Sequence, residues 1–170
     1  MPLNPLKQPR VVGPDAFIPL GNGREAVIEK EDLPLVQTRN WHILVSPTST
    51  YAVSSAKDHL GVWRKLYLHR LLLITPSSLD VDHIDGDRLN CRLSNLRPAT
   101  RTQNLGNMRI SKRNKSGFKG VSLAKGRLWR AEIYIDRKCK YLGAFATPEL
   151  AHEAYKAAAR EKYGEFFNPG

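Results

Sequence analysis

The stretch VDHIDGDRLNCRLSNLRPATRTQN, residues 81–104, decides how the chain is interpreted, because it gathers carboxylate, imidazole and carboxamide side chains into one supersecondary motif. Val81–Asp85 is predicted to form a strand, and Leu96–Ala99 a second strand after an intervening loop. Thr100 is placed to cap a helix that begins at Arg101. The stretch therefore predicts a β–loop–β–α unit.

Three side chains of this unit have the chemistry of a metal-dependent hydrolase. Asp82 offers carboxylate oxygens and Asn104 a carboxamide oxygen, which are ligands that magnesium and manganese prefer. His83 titrates near neutral pH and can take a proton from an attacking water molecule. Two protein ligands leave coordination positions for water and a phosphate oxygen. We therefore interpret Asp82 and Asn104 as metal ligands and His83 as a general base.

The polar residues between the two strands have a simpler explanation. Asp85, Asp87 and Asn90 are predicted to be turn residues, because Asp and Asn side chains favour turns through local hydrogen bonds. A lone histidine is more often a packed residue than a base. For His83, the position beside Asp82 and upstream of two spaced asparagines favours the catalytic interpretation.

The order and spacing of Asp82-His83, Asn95 and Asn104 closely resemble the HNH endonuclease motif of phage and intron homing nucleases, over about residues 66–106. In that family the aspartate and the last helix residue bind one divalent metal, and the histidine is the general base. The resemblance implies these roles for Asp82, Asn104 and His83, and it implies that Asn95 pins the loop and orients the base. The family often has histidine at the last position, where this chain has asparagine.

The dipeptide His69-Arg70 resembles the start of the helix that precedes the motif in the same family. The resemblance implies contacts to phosphate or to the metal shell, so His69 is a candidate catalytic residue and Arg70 a candidate DNA contact. A packed histidine is an equally good interpretation of His69, and that alternative stays open.

The net charge of +11 is concentrated in the C-terminal part of the chain. Residues 1–100 hold 12 Lys/Arg against 10 Asp/Glu, whereas residues 101–170 hold 15 against 6. Such a charge favours nucleic acid, because no segment pairs a basic face with a bulky apolar one as a membrane-surface helix does. Neither a membrane span nor a signal peptide is predicted. We expect an intracellular protein, cytoplasmic in a bacterial or phage-infected host.

The first 60 residues predict a β-rich scaffold that follows a proline-rich extended arm in residues 1–15. The predicted strands are Phe17–Leu20, Ala26–Glu29, His42–Ser46 and Tyr51–Ser55, followed by Val62–Leu68 and a short helix at His69–Ile74. Trp41 and Trp63 are predicted to be core aromatics. Cys91 and Cys139 lack a CxxC or CxxH partner, so we expect two thiols and no zinc site.

The C-terminal part has the clearest pattern. Strands are predicted at Phe118–Leu123, Leu128–Ile135 and Lys140–Phe145, and alternation in the middle strand separates an apolar face from a polar one. A helix capped by Thr147 follows and ends at Gly164. Its predicted apolar stripe is Ala151, Ala154, Tyr155 and Ala158.

Residues 117–168 resemble the ethylene-response-factor (APETALA-two type) DNA-binding domain through FKGV, WRAEI, YLGAF-T and an A-x-x-A-Y-x-x-A-A helix. Such domains lay a three-stranded sheet in the major groove, with the helix packed behind it. Plant members have arginine at three positions where this chain does not, so their GC-rich target is not transferred. The candidate DNA contacts are Arg109, Lys112, Arg113, Lys115, Lys119, Ser122, Lys125, Arg127, Arg130, Glu132, Tyr134, Lys138 and Tyr141.

These features predict an α+β fold in three parts. Residues 1–106 form a β-rich region with a ββα-metal nuclease unit, residues 107–117 a basic linker, and residues 118–170 a three-stranded antiparallel sheet packed on one helix. The predicted function is a site-specific DNA endonuclease of the homing type. It uses Mg²⁺ or Mn²⁺ without a small-molecule cofactor, and it nicks one strand of double-stranded DNA as a monomer. The alternatives are a DNA-binding regulator with an inactive HNH unit, and an RNA-binding protein, which a sheet suited to a wide groove disfavours.

Overall fold

A computed structural model describes residues 6–46, 49–111, 113–135 and 138–170. The chain divides into two compact units, Met1–Pro98 and Ala99–Gly170. Its described part mixes strands with fewer helices, as the predicted α+β class requires. No helix in those four ranges is long and apolar enough to cross a membrane.

The first unit contains two three-stranded antiparallel sheets and a two-stranded sheet. The first sheet has the strands β1 (Arg10–Val12), β2 (Asp15–Gly21) and β3 (Arg24–Glu29). The second has β4 (His42–Ser46), β5 (Ser49–Lys57) and β6 (Trp63–Tyr67). The two-stranded sheet pairs β7 (Asp80–His83) with β8 (Leu96–Ala99). The helices are α1 (Leu33–Val36) and α2 (Leu68–Leu72), with 3₁₀ turns at Lys30–Asp32 and Leu93–Asn95.

Alternation along the first sheet builds the core of this unit. Alternate residues of β2 and β3 are buried, because successive side chains of a strand point to opposite faces. Trp41 is buried as predicted, and its Nε1 donates a hydrogen bond to the carbonyl oxygen of Val36 at 3.0 Å. The thiol of Cys91 is also buried, and burial raises its pKa to about 12, whereas Cys139 is exposed. Both thiols are free.

One prediction for the first unit is wrong and another is incomplete. Trp63 is not a core residue, since it is the first residue of β6 and is 66% exposed. Part of the predicted extended arm is a paired strand, since Arg10–Val12 lie in an antiparallel register with β2. Strand pairing of that kind is decided by a partner segment and not by the local proline content.

The second unit contains the helix α3 (Arg101–Gly106), a three-stranded antiparallel sheet and a long helix. The strands are β9 (Val121–Leu123), β10 (Trp129–Ile135) and β11 (Lys138–Phe145), in the order β11-β10-β9. The long helix is α4 (Pro148–Tyr163), and 3₁₀ turns lie at Lys125–Arg127 and Gly164–Phe166. As predicted, Thr147 caps α4 and Gly164 ends it.

The sheet of the second unit packs against α4. Ala131 and Ile133 of β10 are buried together with Ala151 and Tyr155 of the helix. Gly120 makes the approach possible, because a Cβ atom there would lie 2.1 Å from the Tyr155 ring and its φ is +75°. The predicted stripe is correct but incomplete: Ala151 and Tyr155 are buried, Ala154 and Ala158 are half-buried against the core, and Ala159 and Tyr163 complete the buried face.

Candidate active site

A buried ion pair holds the predicted metal ligand at the end of β7. The Asp82 side chain is 4% exposed, and the Nε of Arg97 on β8 donates to its Oδ2 at 2.9 Å. A buried carboxylate is costly unless a charged group and hydrogen bonds compensate it. Arg97 therefore explains how an ionised aspartate is tolerated at this position.

His83 is buried beside Asp82 and lies against a second histidine. Its ring centroid is 5.2 Å from that of His69 on α2, in an edge-to-face arrangement. Burial lowers the pKa of His83 to about 4, although Asp85 and Asp82 act to raise it. The imidazole is therefore neutral at pH 7, which is the state in which it can accept a proton.

His69 lies in an aromatic cluster. The rings of Tyr51 and Tyr67 lie 5.2 Å and 5.6 Å from it between centroids. Burial and the neighbouring His83 lower the pKa of His69 to about 3. Its Nδ1 is buried without a hydrogen-bond partner in the described part of the chain. The structure thus places His69 next to the predicted base, and it also buries His69 among aromatic rings like a packed core residue.

Asn95 fastens the loop that follows His83. Its Nδ2 donates to Asp85 Oδ1 at 3.0 Å and to the Asn90 carbonyl oxygen at 2.8 Å, and its Oδ1 accepts from the Asp85 amide at 3.1 Å. The predicted turn residues make local hydrogen bonds as well, among them Asp87 N to Asp85 Oδ1 at 2.8 Å. These contacts are those of a loop-pinning residue, which is the role that the motif implies.

Two carboxylates of the N-terminal sheet bind residues of the same loop. The Glu29 carboxylate accepts hydrogen bonds from the Leu93 and Ser94 amides and from the Ser94 hydroxyl, the last at 2.7 Å. Arg92 forms a two-pronged ion pair with Asp15, at 2.7 Å and 2.6 Å. We call these five residues the hairpin clasp. Sequence reasoning missed it, since its partners lie 64 to 77 positions apart and no local spacing signals the pairing.

Glu29→Gln is expected to loosen the clasp. Burial alone would raise the pKa of Glu29, but the donors of Ser94 and Leu93 outweigh burial and lower it. Because the carboxylate is the form that is stabilised, the substitution should reduce the free energy of unfolding by about 1–2 kcal/mol at pH 7. Urea titration measures this loss, and amide exchange at Leu93 and Ser94 should become faster.

The pH dependence provides a second check of the clasp. A group with a lowered folded-state pKa contributes stability above its unfolded-state pKa and loses it as the pH falls. The gap between wild type and Glu29→Gln should therefore be full at pH 7 and shrink below about pH 4.5. Glu31→Gln, a change at an exposed neighbour, is the matched control. A constant gap from pH 7 to pH 3 would contradict the role of the Glu29 charge.

Arg70 is engaged within the first unit. Its guanidinium donates to the Leu79 carbonyl oxygen at 3.2 Å and lies 3.8 Å from Asp80. Leu79 immediately precedes β7, and Asp80 is its first residue. Arg70 is half-buried, and its contact with DNA stays a prediction.

The donor set of this unit suits a hard cation held by few protein atoms. In residues 6–46, 49–111, 113–135 and 138–170, no group of three or more His, Cys, Asp and Glu side chains is placed to hold a metal ion. Mg²⁺ often binds through one or two carboxylates and keeps waters and substrate phosphates as its other ligands. The buried carboxylate of Asp82 beside a neutral imidazole fits this kind of ion.

The remaining predicted site residues lie in the second unit. Asn104 lies on α3, which starts at Arg101 as predicted. Thr100 and Gln103 form a capping box there, with the Thr100 amide donating to Gln103 Oε1 at 2.8 Å. The cap fixes the start of the helix and therefore the position of Asn104 along it.

The polar face of the second sheet carries several of the predicted DNA contacts. Strand register pairs Arg130 with Ser122 and Glu132 with Tyr141, so these side chains share one face. The described predicted contacts that are exposed are Arg109, Arg113, Lys115, Ser122, Lys125, Arg127, Arg130, Tyr134, Lys138 and Tyr141, while Glu132 is half-buried. Lys112 lies outside the described residues. All of these assignments stay predictions.

Lys119 makes three hydrogen bonds within the second unit. Its Nζ donates to the carbonyl oxygens of Gly106, Met108 and Asn168, at 2.9 Å, 2.6 Å and 3.0 Å. Burial lowers the pKa of Lys119 to about 8, whereas three acceptors suit the three protons of an ammonium group. The side chain therefore ties three segments of the second unit together, and its contact with DNA stays a prediction.

Known proteins resemble both the motif and the wider chain. The profile of the HNH endonuclease family matches residues 75–105. An HNH endonuclease of Acanthamoeba polyphaga mimivirus, itself uncharacterized, is 31% identical over 149 residues, which cover 88% of this chain and 76% of that protein. Protein 3.8 of Escherichia phage T7 is 37% identical over 92 residues, covering 54% of this chain and 75% of the phage protein. No solved structure gives a significant match.

The matched segment and the wider relative agree with the geometry. Residues 75–105 include Asp82 and His83 at the end of β7, together with the Asn95 that fastens their loop. The mimivirus relative aligns over most of both chains. This chain therefore belongs to the HNH endonuclease family, which are nucleases with nucleic acid as their substrate.

Proposed function

We propose that the protein is a site-specific DNA endonuclease of the homing type, which hydrolyses a phosphodiester bond with His83 as the general base. The observation that carries the proposal is the buried arrangement at the end of β7, where Asp82 pairs with Arg97 of β8 and the His83 ring packs against that of His69. Neutral imidazole takes a proton from water, and the resulting hydroxide attacks the phosphorus atom. The 3′ oxygen leaves as the bond to phosphorus breaks.

The surrounding residues support this step by position. Asn95 fixes the loop after His83 through its three hydrogen bonds, and the hairpin clasp holds the far side of that loop. His69 packs against the base and limits the orientations of its ring. A base held in one orientation loses little entropy when the substrate arrives.

Asp82 and Asn104 are the residues that we propose to hold Mg²⁺ or Mn²⁺. For Asp82 the support is its buried carboxylate, and for Asn104 it is the sequence motif alone. When bound, such a cation neutralises the negative charge that develops on the phosphate and on the leaving oxygen.

Target recognition is assigned to the second unit. Its basic segment and the exposed face of its sheet carry the predicted contacts, and the resemblance to ethylene-response-factor domains suggests a sheet laid in the major groove of double-stranded DNA. Residues 101–170 hold 15 Lys/Arg against 6 Asp/Glu, which supports binding to the DNA backbone. The substrate would be met inside the cell.

One active site on a monomeric chain predicts a nick. Incubated with supercoiled plasmid that carries phage or bacterial DNA and with magnesium, the protein should accumulate open circles before any linear product. EDTA should abolish the breaks, and mapping of the 5′ ends should show one preferred position. Linear product appearing first would contradict single-strand cleavage.

The alternative function, a DNA-binding regulator with an inactive HNH unit, makes a different prediction for the same assay. A regulator of this kind would retard the migration of DNA in a gel with either magnesium or manganese, and it would break the DNA with neither ion. Intact Asp82 and His83 in a buried, compensated environment favour the nuclease.

A further inference from the structure

The outer end of the second sheet carries an exposed aromatic residue that the proposed reaction does not use. Trp63 is 66% exposed, and two neighbours in the preceding turn, Leu60 and Val62, are exposed at 72% and 46%. Single exposed apolar residues are ordinary on protein surfaces, whereas here three of them lie within four positions of the chain.

The strand register places two lysines on the same face of the sheet as the indole. Lys57 lies directly opposite Trp63, and Lys65 lies opposite Ser55, so all four side chains occupy one face. The Nζ of Lys57 is 5.5 Å from the centroid of the Trp63 ring. We call Lys57, Trp63 and Lys65 the Trp63 patch.

The charge of this patch is not neutralised locally. Neither Lys57 nor Lys65 pairs with a carboxylate in the described part of the chain. The acidic residue of the turn, Asp58, accepts hydrogen bonds from the Val62 amide and from Arg64 Nε, both at 2.9 Å. Its carboxylate is therefore used within the turn, and the patch remains positive around an aromatic centre.

The same face leads to the proposed base. Tyr67 pairs with Val53 and lies on the same face of the sheet as Trp63. The Tyr67 ring lies 5.6 Å between centroids from His69, the residue that packs against the proposed base. Trp63 and Tyr67 are four positions apart on β6, which is ~13 Å at ~3.3 Å per residue. The patch and the aromatic cluster around His69 therefore lie along one face of the same strand.

We infer that the Trp63 patch is a second nucleic-acid contact, on which an unstacked DNA base lies against the indole while the two lysines contact the flanking phosphates. Aromatic rings between basic side chains bind unpaired bases in this way without sequence preference. Lysine is depleted from protein–protein interfaces, so a polyanion is the better partner for this patch. The inference rests on the proposed function for its choice of DNA.

A binding experiment on the full chain without divalent metal tests the inference. The probes are a 20-nucleotide oligothymidylate and a fully paired 20-base-pair duplex, both labelled, in EDTA. Trp63→Ala should weaken thymidylate binding by about 5- to 150-fold, the usual range for loss of one stacked base, and duplex binding by less. Thymidylate should quench the indole fluorescence of wild type, and Trp63→Phe should keep most of the affinity but lose that quenching.

Matched variants separate the patch from general effects. Val45→Ala removes side-chain atoms from an equally exposed residue on the opposite face of the sheet, and it should leave binding unchanged. Lys65→Gln should lower the slope of log affinity against log salt by about 0.7–0.9, whereas Lys30→Gln at an exposed site outside this sheet should not.

The outcome is independent of catalysis, because no metal is present. If wild type fails to break plasmid DNA but Trp63→Ala still loses thymidylate binding, the proposed function fails and this inference stands. Equal thymidylate affinity for wild type and Trp63→Ala, in protein with unchanged thermal unfolding, overturns the inference whether or not the chain is a nuclease.

Discussion

Replacing His83 with alanine is expected to slow DNA cleavage by about 10²- to 10⁴-fold, because a positioned general base contributes a factor of that size. The imidazole is buried and neutral at pH 7, so wild type has the base in its active form. Single-turnover cleavage of a mapped plasmid site, at saturating magnesium, measures the rate.

Binding provides the control for this variant. His83 is buried and is not one of the predicted DNA contacts, so the affinity of His83→Ala for an uncut duplex in EDTA should stay within about twofold of wild type, well under the ~1.4 kcal/mol that a tenfold change represents. Cleavage by His83→Ala at the wild-type rate would refute the assignment of the base. A parallel loss of binding would instead indicate a folding defect, which a melting curve detects.

Replacing Arg97 with methionine should cost the first unit about 3–5 kcal/mol of stability, because it leaves the buried Asp82 carboxylate without its guanidinium. The ion pair is almost inaccessible to water, with the two side chains 15% and 4% exposed. Urea unfolding followed by far-ultraviolet circular dichroism measures the change.

A second ion pair in the same unit is the matched control. Arg64 pairs with Asp58 at the same 2.9 Å, but its side chain is 66% exposed. Arg64→Met should cost no more than about 1 kcal/mol, since water compensates an exposed charge. Equal losses for the two variants would contradict the view that burial makes the Arg97 pair important.

Local features of the fold could be predicted from the sequence. The start of α3 follows from Thr100 and Gln103, which satisfy each other's backbone and side-chain groups within one turn. β4 and β8 have the predicted bounds for similar reasons of local pattern. The strand predicted at Val81–Asp85 was too long at its end, because Asp85 takes part in the turn that Asn95 fastens.

Nonlocal features could not be predicted. The hairpin clasp joins Glu29 and Asp15 to a loop more than sixty residues away along the chain. The residues next to each carboxylate do not distinguish it from an ordinary solvated one. Trp63 was assigned to the core by its residue type, whereas it is the first residue of a strand and follows an exposed turn.

The helix α4 shows an intermediate case. Its existence, cap and end were predicted, together with Ala151 and Tyr155 of its buried face, but Ala159 and Tyr163 were missed. Alanine occupies both sides of this helix, so the apolar pattern does not fix its rotation. The contact of Tyr155 with Gly120 supplies the missing information.

For the site, the candidate catalytic residues could be predicted from the sequence, whereas the contacts that hold them in place could not. The motif singled out Asp82, His83 and Asn95, while the ion pair of Arg97 and the clasp explain how a buried charge and a polar loop are kept in place. These supporting contacts depend on tertiary packing, which single-sequence patterns do not encode.

Chemical rescue of His83→Gly tests the central claim most directly. The substitution leaves a cavity where the buried imidazole was, and imidazole added to the solution can enter it and accept the proton in place of the side chain. We predict that cleavage of the mapped DNA site by His83→Gly is slow without imidazole and rises with imidazole concentration, while Asp82→Ala gains nothing. Cleavage by His83→Gly at the wild-type rate without imidazole would contradict the account.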